Sequence, residues 1–533
     1  MRTSLKVALT VALALGAAAC SDYLSGPGVD TDPNNPALLV RPGPLYVGIQ
    51  AAQTIEFEGQ AARDLVQYVQ QVAGNSRQSI GFDRYTTNPQ DLDPYFGGIY
   101  GSTRTLTGGG GLLDIRKMQQ LARKSGDSLY IGIGKVYEAL VMSYAADIWG
   151  DIPYREAADS NNTTPHYDPQ LQVYQDLLAQ LDSAATIYLP ASGPTNLGPA
   201  QDQAELVYGG REGELATLYA AVAHSLKARI YLHLAEVDPA NYARALAEVG
   251  PPGINTGGPG IRTPDDDFLW YHDASATGNN IWWQFMSARG DIGPGAALVE
   301  ILKRRIGAGI EDGARLNFYF GSATGGTDPA EFFGFRPGGA TDLQAAPTVY
   351  NGTAPGQNYS FFNTFIDGFS PPGDFRPQEI SWAETQLIGA EAALQTGNAG
   401  LAQQYLDAVR ANRVYGATGG VRVTFPPLGS VPATLQNIIE EKYVTLFLNP
   451  EVWNDYKRTC LPALAPAAPA GSNAPGTSPI PGRLPYGQTE LNANPNAPTT
   501  NSAGLPVTST GRNPNDPNPC PVLNYLNSTP LAN

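Results

Sequence analysis

SWAETQLIGAEAALQTGNAGLAQQYLDAVRANR, residues 381–413, sets the architecture. Leu387, Ala390 and Leu394 recur at helical spacing and make one inner face. Gly397-Asn398 then suits the left-handed turn that ends a helix. Leu401, Tyr405 and Val409 resume the pattern beyond it. The spacing predicts a helix hairpin, and the many small residues on both helices predict close approach. Glu384 and Glu391 are seven apart on one helix face. Salt bridges to neighbouring helices are their expected use.

Outward from this hairpin, helical periodicity returns several times. In 130–148, Val136, Leu140, Tyr144 and Ile148 form one face, and in 171–187 Val173, Leu177, Leu181 and Ala184 do the same. The segment 214–236 carries Leu215, Leu218, Val222, Leu226 and Ile230, and stops at Asp238-Pro239. There Asp caps and Pro begins a further helix. The hairpin resembles a tetratricopeptide unit, one of several helix pairs able to stack. Between the helices, 76–113, 190–212, 250–295, 321–376 and 462–533 read as loops rich in Gly, Pro and Asn. The expected fold is mainly α: a tetratricopeptide-like helix-hairpin scaffold with a large irregular loop-rich lobe.

The amino terminus adds an address. Arg2 and Lys6 precede an apolar run from Val7 to Ala19, too short to span a bilayer, and Ala17–Ala19 lead directly to Cys20. That order resembles a bacterial lipobox, with Cys20 as the lipidated residue. Residues 1–19 are then a lipoprotein signal peptide, 20–43 a lipidated leader, and 44–533 one domain. Without the signal the chain keeps 31 basic and 49 acidic residues, a formal charge of −18, since only Arg2 and Lys6 are lost. Such a field does not steer a protein to nucleic acid. Two further cysteines, Cys460 and Cys520, are a disulfide candidate in an oxidising compartment, with free buried thiols as the alternative.

Eight stretches in order resemble the SusD/RagB family of nutrient-binding outer-membrane lipoproteins. They are ACSDYL at the lipobox, ALVMSYAADIWGDIPYREA (139–157), YDPQLQVYQDLLAQLDSA (167–184) and HSLKARIYLHLAE (224–236). DGARLNFYF (312–320), WAETQLIGAEAALQTGN, EEKYVTLFLNPEVWNDYKR (440–458), which looks like the family's C-terminal helix, and IPGRLPYGQTELNANPNAP (480–498), which looks like the turn after it, complete them. Most of these residues also have an architectural reading. Gly150 permits a tight turn and Pro153 stops a helix. Asp147 and Asp151 are expected on turn amides, Trp149 and Tyr154 in the corner. Arg229 is expected to tie its helix to a loop carboxylate, and Arg483 to anchor a turn.

Signatures of catalysis are missing: no HExxH, CxxC, GxSxG or phosphate-binding loop occurs. The four histidines are scattered, and no metal site is expected. Asp265-Asp266-Asp267 offers oxygens suited to Ca²⁺, with simple solvation as the alternative. The candidate ligand site is DDDFLWYHDASATGNNIWWQF, 265–285. Trp270, Tyr271, Trp282 and Trp283 would stack on sugar rings, and Asn279 and Asn280 would bind hydroxyls. The alternative is a loop that packs itself over the core. Tyr85 and Tyr95, in YTTNPQDLDPYFGGIY (85–100), make a second candidate.

The resemblance implies a non-enzymatic, surface-facing lipoprotein of the outer membrane. It would bind an oligomeric nutrient, glycan or peptide, and close as a lid over a SusC-like TonB-dependent transporter. A secreted glycoside hydrolase and a protein-binding scaffold are the competing functions.

Overall fold

The computed structural model describes residues 41–101, 109–159, 161–191, 198–235, 237–275, 278–322, 325–338, 360–362, 373–467, 480–498 and 520. Cys20 and the signal peptide lie outside them. The described chain is mainly helical. The scaffold helices are α1 (Gly43–Glu58), α2 (Leu112–Ser125), α3 (Ser128–Trp149), α4 (Gln170–Ser183) and α5 (Leu215–Leu234). They continue with α6 (Ala240–Val249), α7 (Trp382–Gln395), α8 (Ala399–Ala411), α9 (Leu435–Thr445) and α10 (Glu451–Thr459). Helix α2 packs on α3, α3 on α4 and α5, α5 on α6, α6 on α7, and α7 on α8. This is the stack of helix pairs that the sequence predicts.

The hairpin has the expected construction. Gly397 ends α7 with φ +84°. Asn398 caps α8, its side-chain oxygen accepting from the Leu401 amide at 3.1 Å. A Cβ at Gly389 would lie 2.9 Å from the Tyr405 ring, so only glycine lets the two helices meet this closely. Asp238 likewise accepts from the Ala240 amide at 3.0 Å and starts α6.

Two expectations change. Helix α3 is not one-sided: from Leu129 to Trp149 every residue is buried. It has neighbours on several sides, and a helix apolar nearly all round belongs inside. The stretch 440–458 is two helices rather than one. Pro450 has no N–H to continue a helix. Leu448 takes φ +65°, and Asn449 accepts from the Glu451 amide at 2.9 Å to open α10.

Buried ion pairs cross-link the stack. Arg229 on α5 makes a two-pronged bond to Glu384 (2.7 and 2.7 Å) and reaches Glu379 at 3.3 Å. Its main partner is therefore in the first turn of α7, not in a loop. Glu391 grips Arg458 on α10 at 2.7 and 2.9 Å, the interhelix bridge expected of it. Glu441 on α9 meets three guanidiniums, Arg305 (2.5 Å), Arg315 (2.7 Å) and Arg410 (2.8 Å). Burial alone would raise its pKa. The three arginines outweigh burial and hold it well below the carboxylate range.

The irregular lobe is tied down by short antiparallel strand pairs: Val72–Gly74 with Ile292–Pro294, Phe268–Leu269 with Gln378–Ile380, and the hairpin Arg413–Thr418 with Val421–Phe425. Cys460, just after α10, is bonded to Cys520, sixty residues away, with the Cα atoms 5.3 Å apart. Among the described residues no helix is long and apolar enough to cross a membrane.

Candidate functional site

The aromatic stretch 265–285 is only partly a loop. Ile281–Ala288 is a helix, capped by Asn280, whose oxygen accepts from the Trp283 amide at 3.1 Å. The same side chain donates to Glu58 at 3.0 Å and to the Phe375 carbonyl at 3.2 Å. His272 lies 2.8 Å from the other Glu58 oxygen. Glu58 therefore organises the segment against the end of α1.

This packing corrects the idea of one aromatic platform. Trp270 is 1% exposed and sits between Phe57 and Phe268, ring centroids 5.4 and 5.0 Å away. Trp282 is also 1% exposed, beneath the Arg63 guanidinium. Both are core residues, because the segment folds back over α1. Asn280 is a cap. Asn279 is buried, and with its amide turned its nitrogen donates to the Asp273 carbonyl at 3.0 Å. Trp283 is half-buried, with Gly373 close against its ring. Tyr271 is the aromatic left open, 39% exposed. Its hydroxyl donates to Asp273 at 3.0 Å, and Arg376 lies 5.6 Å from its ring. Trp270, Tyr271, Asp273 and Asn279 line one side of a cavity of about 260 Å³.

The second candidate stretch is also helical. Pro89–Tyr100 is opened by a capping box between Asn88 and Asp91. The Asn-Pro-x-Asp pattern was the available signal. Tyr85 packs edge-on against Tyr68 and accepts from the Ala467 amide at 3.0 Å. Tyr95 is buried. Neither faces the cavity that this helix does border. That cavity, about 430 Å³, lies between the helix, the 153–165 segment and the helix Gln488–Ala493. Pro94, Phe96, Tyr100, Pro153 and Pro165 give it apolar walls, and Asp93 and Glu490 supply carboxylates.

Direct bonds fix its three sides. Asp93 accepts from the Thr489 amide and hydroxyl, both at 2.7 Å. Tyr167 donates to Glu490 at 3.0 Å, and Asn494 to the Pro165 carbonyl at 2.9 Å. The corner beneath behaves as the sequence suggests. Trp149 donates to the Pro485 carbonyl at 2.9 Å, and Asp151 accepts from the Gln170 amide at 2.9 Å. Gly150, at φ +82°, would bring a Cβ within 2.8 Å of the Arg483 guanidinium. Arg483 anchors the turn by donating to the Ala146 carbonyl at 2.9 Å.

A third, polar cleft of about 820 Å³ lies beside α2, α3 and α4. Its charges are largely paired: Arg116 with Glu138 at 3.1 Å, and Arg155 with Asp176 at 2.7 Å.

Asp147 differs from expectation: it joins a buried cluster rather than a turn amide. Ligand-type atoms of Asp147, His233 and Glu451 all lie within 4.8 Å of one another. Here they hold each other. His233 lies 3.1 Å from Asp147 and 2.8 Å from Glu451, and Asn454 donates to both carboxylates at 3.2 and 2.8 Å. Burial pulls the His233 pKa down, but Glu451 and Asp147 outweigh it and lift the imidazole to about 9. An imidazolium and an amide occupy the space between the acids. In the Asp265–Asp267 run, Asp266 pairs with Arg211 at 2.9 Å. Asp267 pairs with Arg422 at 2.5 Å and accepts from the Trp382 amide at 2.6 Å. Asp265 offers its carbonyl to Arg211 at 2.9 Å.

Similar proteins agree with this architecture. A comparison with curated proteins finds no match. Among solved structures, a chitin-binding protein is similar with TM-score 0.63 and 19% identity, covering 89% of this chain and 99% of its own. A SusD-like protein from Bacteroides thetaiotaomicron gives TM-score 0.62 and 18% identity, covering 88% and 98%. A chitin-binding SusD homolog from Flavobacterium johnsoniae gives 0.56 and 20%, covering 85% and 92%. The SusD-like family, described as starch-binding and associating with the outer membrane, matches residues 37–487. With that match running through every scaffold helix, the chain belongs to the SusD-like family.

Proposed function

We propose that this protein captures an oligosaccharide at the outer membrane and delivers it to a SusC-like TonB-dependent transporter, over which it acts as a lid. The observation that carries the reading is the family match over residues 37–487. Cavities with apolar walls and few polar groups support it, since such sites suit amphipathic sugar rings. Cys20 would supply the lipid tether, and a tether raises the effective concentration of lid near barrel. The role asks for binding and release, with no bond made or broken in the ligand. The chitin-binding relatives make a β-linked glycan a natural first ligand to try.

The test is a pull-down of the tagged full chain from native outer membrane, with mass spectrometry of what accompanies it. A large TonB-dependent barrel in near-equal amount is the expected result. A lone protein in mild detergent would overturn the lid role and leave glycan binding to be judged separately.

A further inference from the structure

The cavity bordered by Pro89–Tyr100 and the polar cleft beside α2 are neighbours. Ala158 lines both. It takes φ +60°, a left-handed conformation uncommon for a residue with a Cβ. Strain of this kind persists where the surroundings hold it, and it gathers at ligand sites. Here Arg116 does the holding, donating to the Tyr154 carbonyl at 2.9 Å and the Ala157 carbonyl at 2.6 Å. The 154–158 segment is thus a pinned ridge with an apolar hollow on one side and a hydrophilic cleft on the other.

Resting on the glycan-binding reading, we propose that the two cavities form one groove for an uncharged oligosaccharide, which crosses the ridge at Ala158. A terminal sugar lies against the apolar walls, while following units reach the hydrogen-bonding side chains of the cleft, among them the exposed Lys117 and Gln120 and the half-buried Gln180. Glu490 is the positioning acceptor in the hollow. Its Oε1 holds Tyr167 (3.0 Å) and Asn494 (2.8 Å), and its Oε2 has no partner among the described residues. A sugar hydroxyl donates well to such an oxygen. The charged groups of the hollow are Asp93 and Glu490, both acidic, so the hollow repels an anionic terminal unit. With volumes of about 430 and 820 Å³, the groove has room for more than one sugar unit.

The experiment is isothermal titration of the full chain with N-acetylchitooligosaccharides and maltooligosaccharides of two to six units, and with hexagalacturonate. Thermal melting of each variant reports folding. Affinity is expected to rise at least tenfold from dimer to hexamer in one neutral series, with hexagalacturonate much weaker. Glu490→Gln should weaken the hexamer about tenfold, and Gly97→Leu, which fills the hollow from its helical wall, should abolish binding. Tyr271→Ala, at the separate cavity, should leave binding unchanged. Loss with Tyr271→Ala but none with Glu490→Gln or Gly97→Leu would overturn the groove and keep the glycan reading. A preference for hexagalacturonate would overturn the ligand class. Failure of every saccharide to bind would bring down the glycan reading itself, and this inference with it.

Discussion

The ion-paired scaffold around Glu441 and the hollow around Glu490 each hold a carboxylate, and they use it in opposite ways. Glu441 lies deep between helices and takes three guanidiniums. Glu490 bonds the fold through one oxygen and leaves the other open to a cavity. The contrast shows where this chain needs charge for shape and where it keeps polar capacity for a ligand. A buried carboxylate without its cations is costly, and around Glu441 the scaffold supplies three of them. Beside a cavity, an unused acceptor is tolerated because water or ligand satisfies it.

The contrast breaks most visibly at Glu441. Glu441→Gln leaves three buried guanidiniums short of a countercharge and should destabilise by about 3–5 kcal/mol in urea unfolding. A loss below about 1 kcal/mol would mean that the arginines are held by their other partners. Close behind comes the pair of aromatics from one short stretch. Trp282→Ala, inside the core, should cost about 3–5 kcal/mol. Tyr271→Ala, on the surface, should stay within about 1 kcal/mol. Equal losses would show that the segment is not divided into a core face and an open face.

A pH series sharpens the scaffold side. The folded His233 pKa of about 9 exceeds the unfolded value near 6.5, so the protonated cluster stabilises the fold fully below pH ~6.5. That contribution, up to about 3 kcal/mol, should fade as pH rises through 9. Denaturant midpoints at pH 6, 8 and 9.5 measure it, and His233→Gln should flatten the alkaline fall. A fall as steep in the variant would place the titrating group elsewhere. The smallest effect lies on the other side of the contrast. Glu490→Gln keeps an acceptor for Tyr167 and should shift stability by no more than about 0.5 kcal/mol. A larger loss would make Glu490 a structural carboxylate like Glu441.

Much of the scaffold was legible because it follows local rules. Period, cap and glycine turn located α7 and α8, and Asp238-Pro239 located the junction of α5 and α6. The ionic partners of Arg229 and Glu391 were legible as a type of bond but not as pairs, since Glu384 and Arg458 come from distant segments. The site was harder. Trp270, Tyr271 and Trp282 look alike in a line of sequence, and only the return of the segment over α1 separates core ring from surface ring. Glu490 and Phe96 are nearly four hundred positions apart, so no spacing announces the hollow they share. The cap at Asn88-Pro89 could have revealed a helix where a loop was expected. It could not have shown what that helix borders.

The most direct test of the contrast is hydrogen exchange of the full chain with and without saturating N-acetylchitohexaose, read by mass spectrometry. Protection should appear at 93–100, 153–158 and 488–494 around the hollow and at 113–123 and 176–180 along the cleft, with exchange in α5, α7 and α9 unchanged. Protection confined to 270–285, or spread through α5, α7 and α9, would contradict the account.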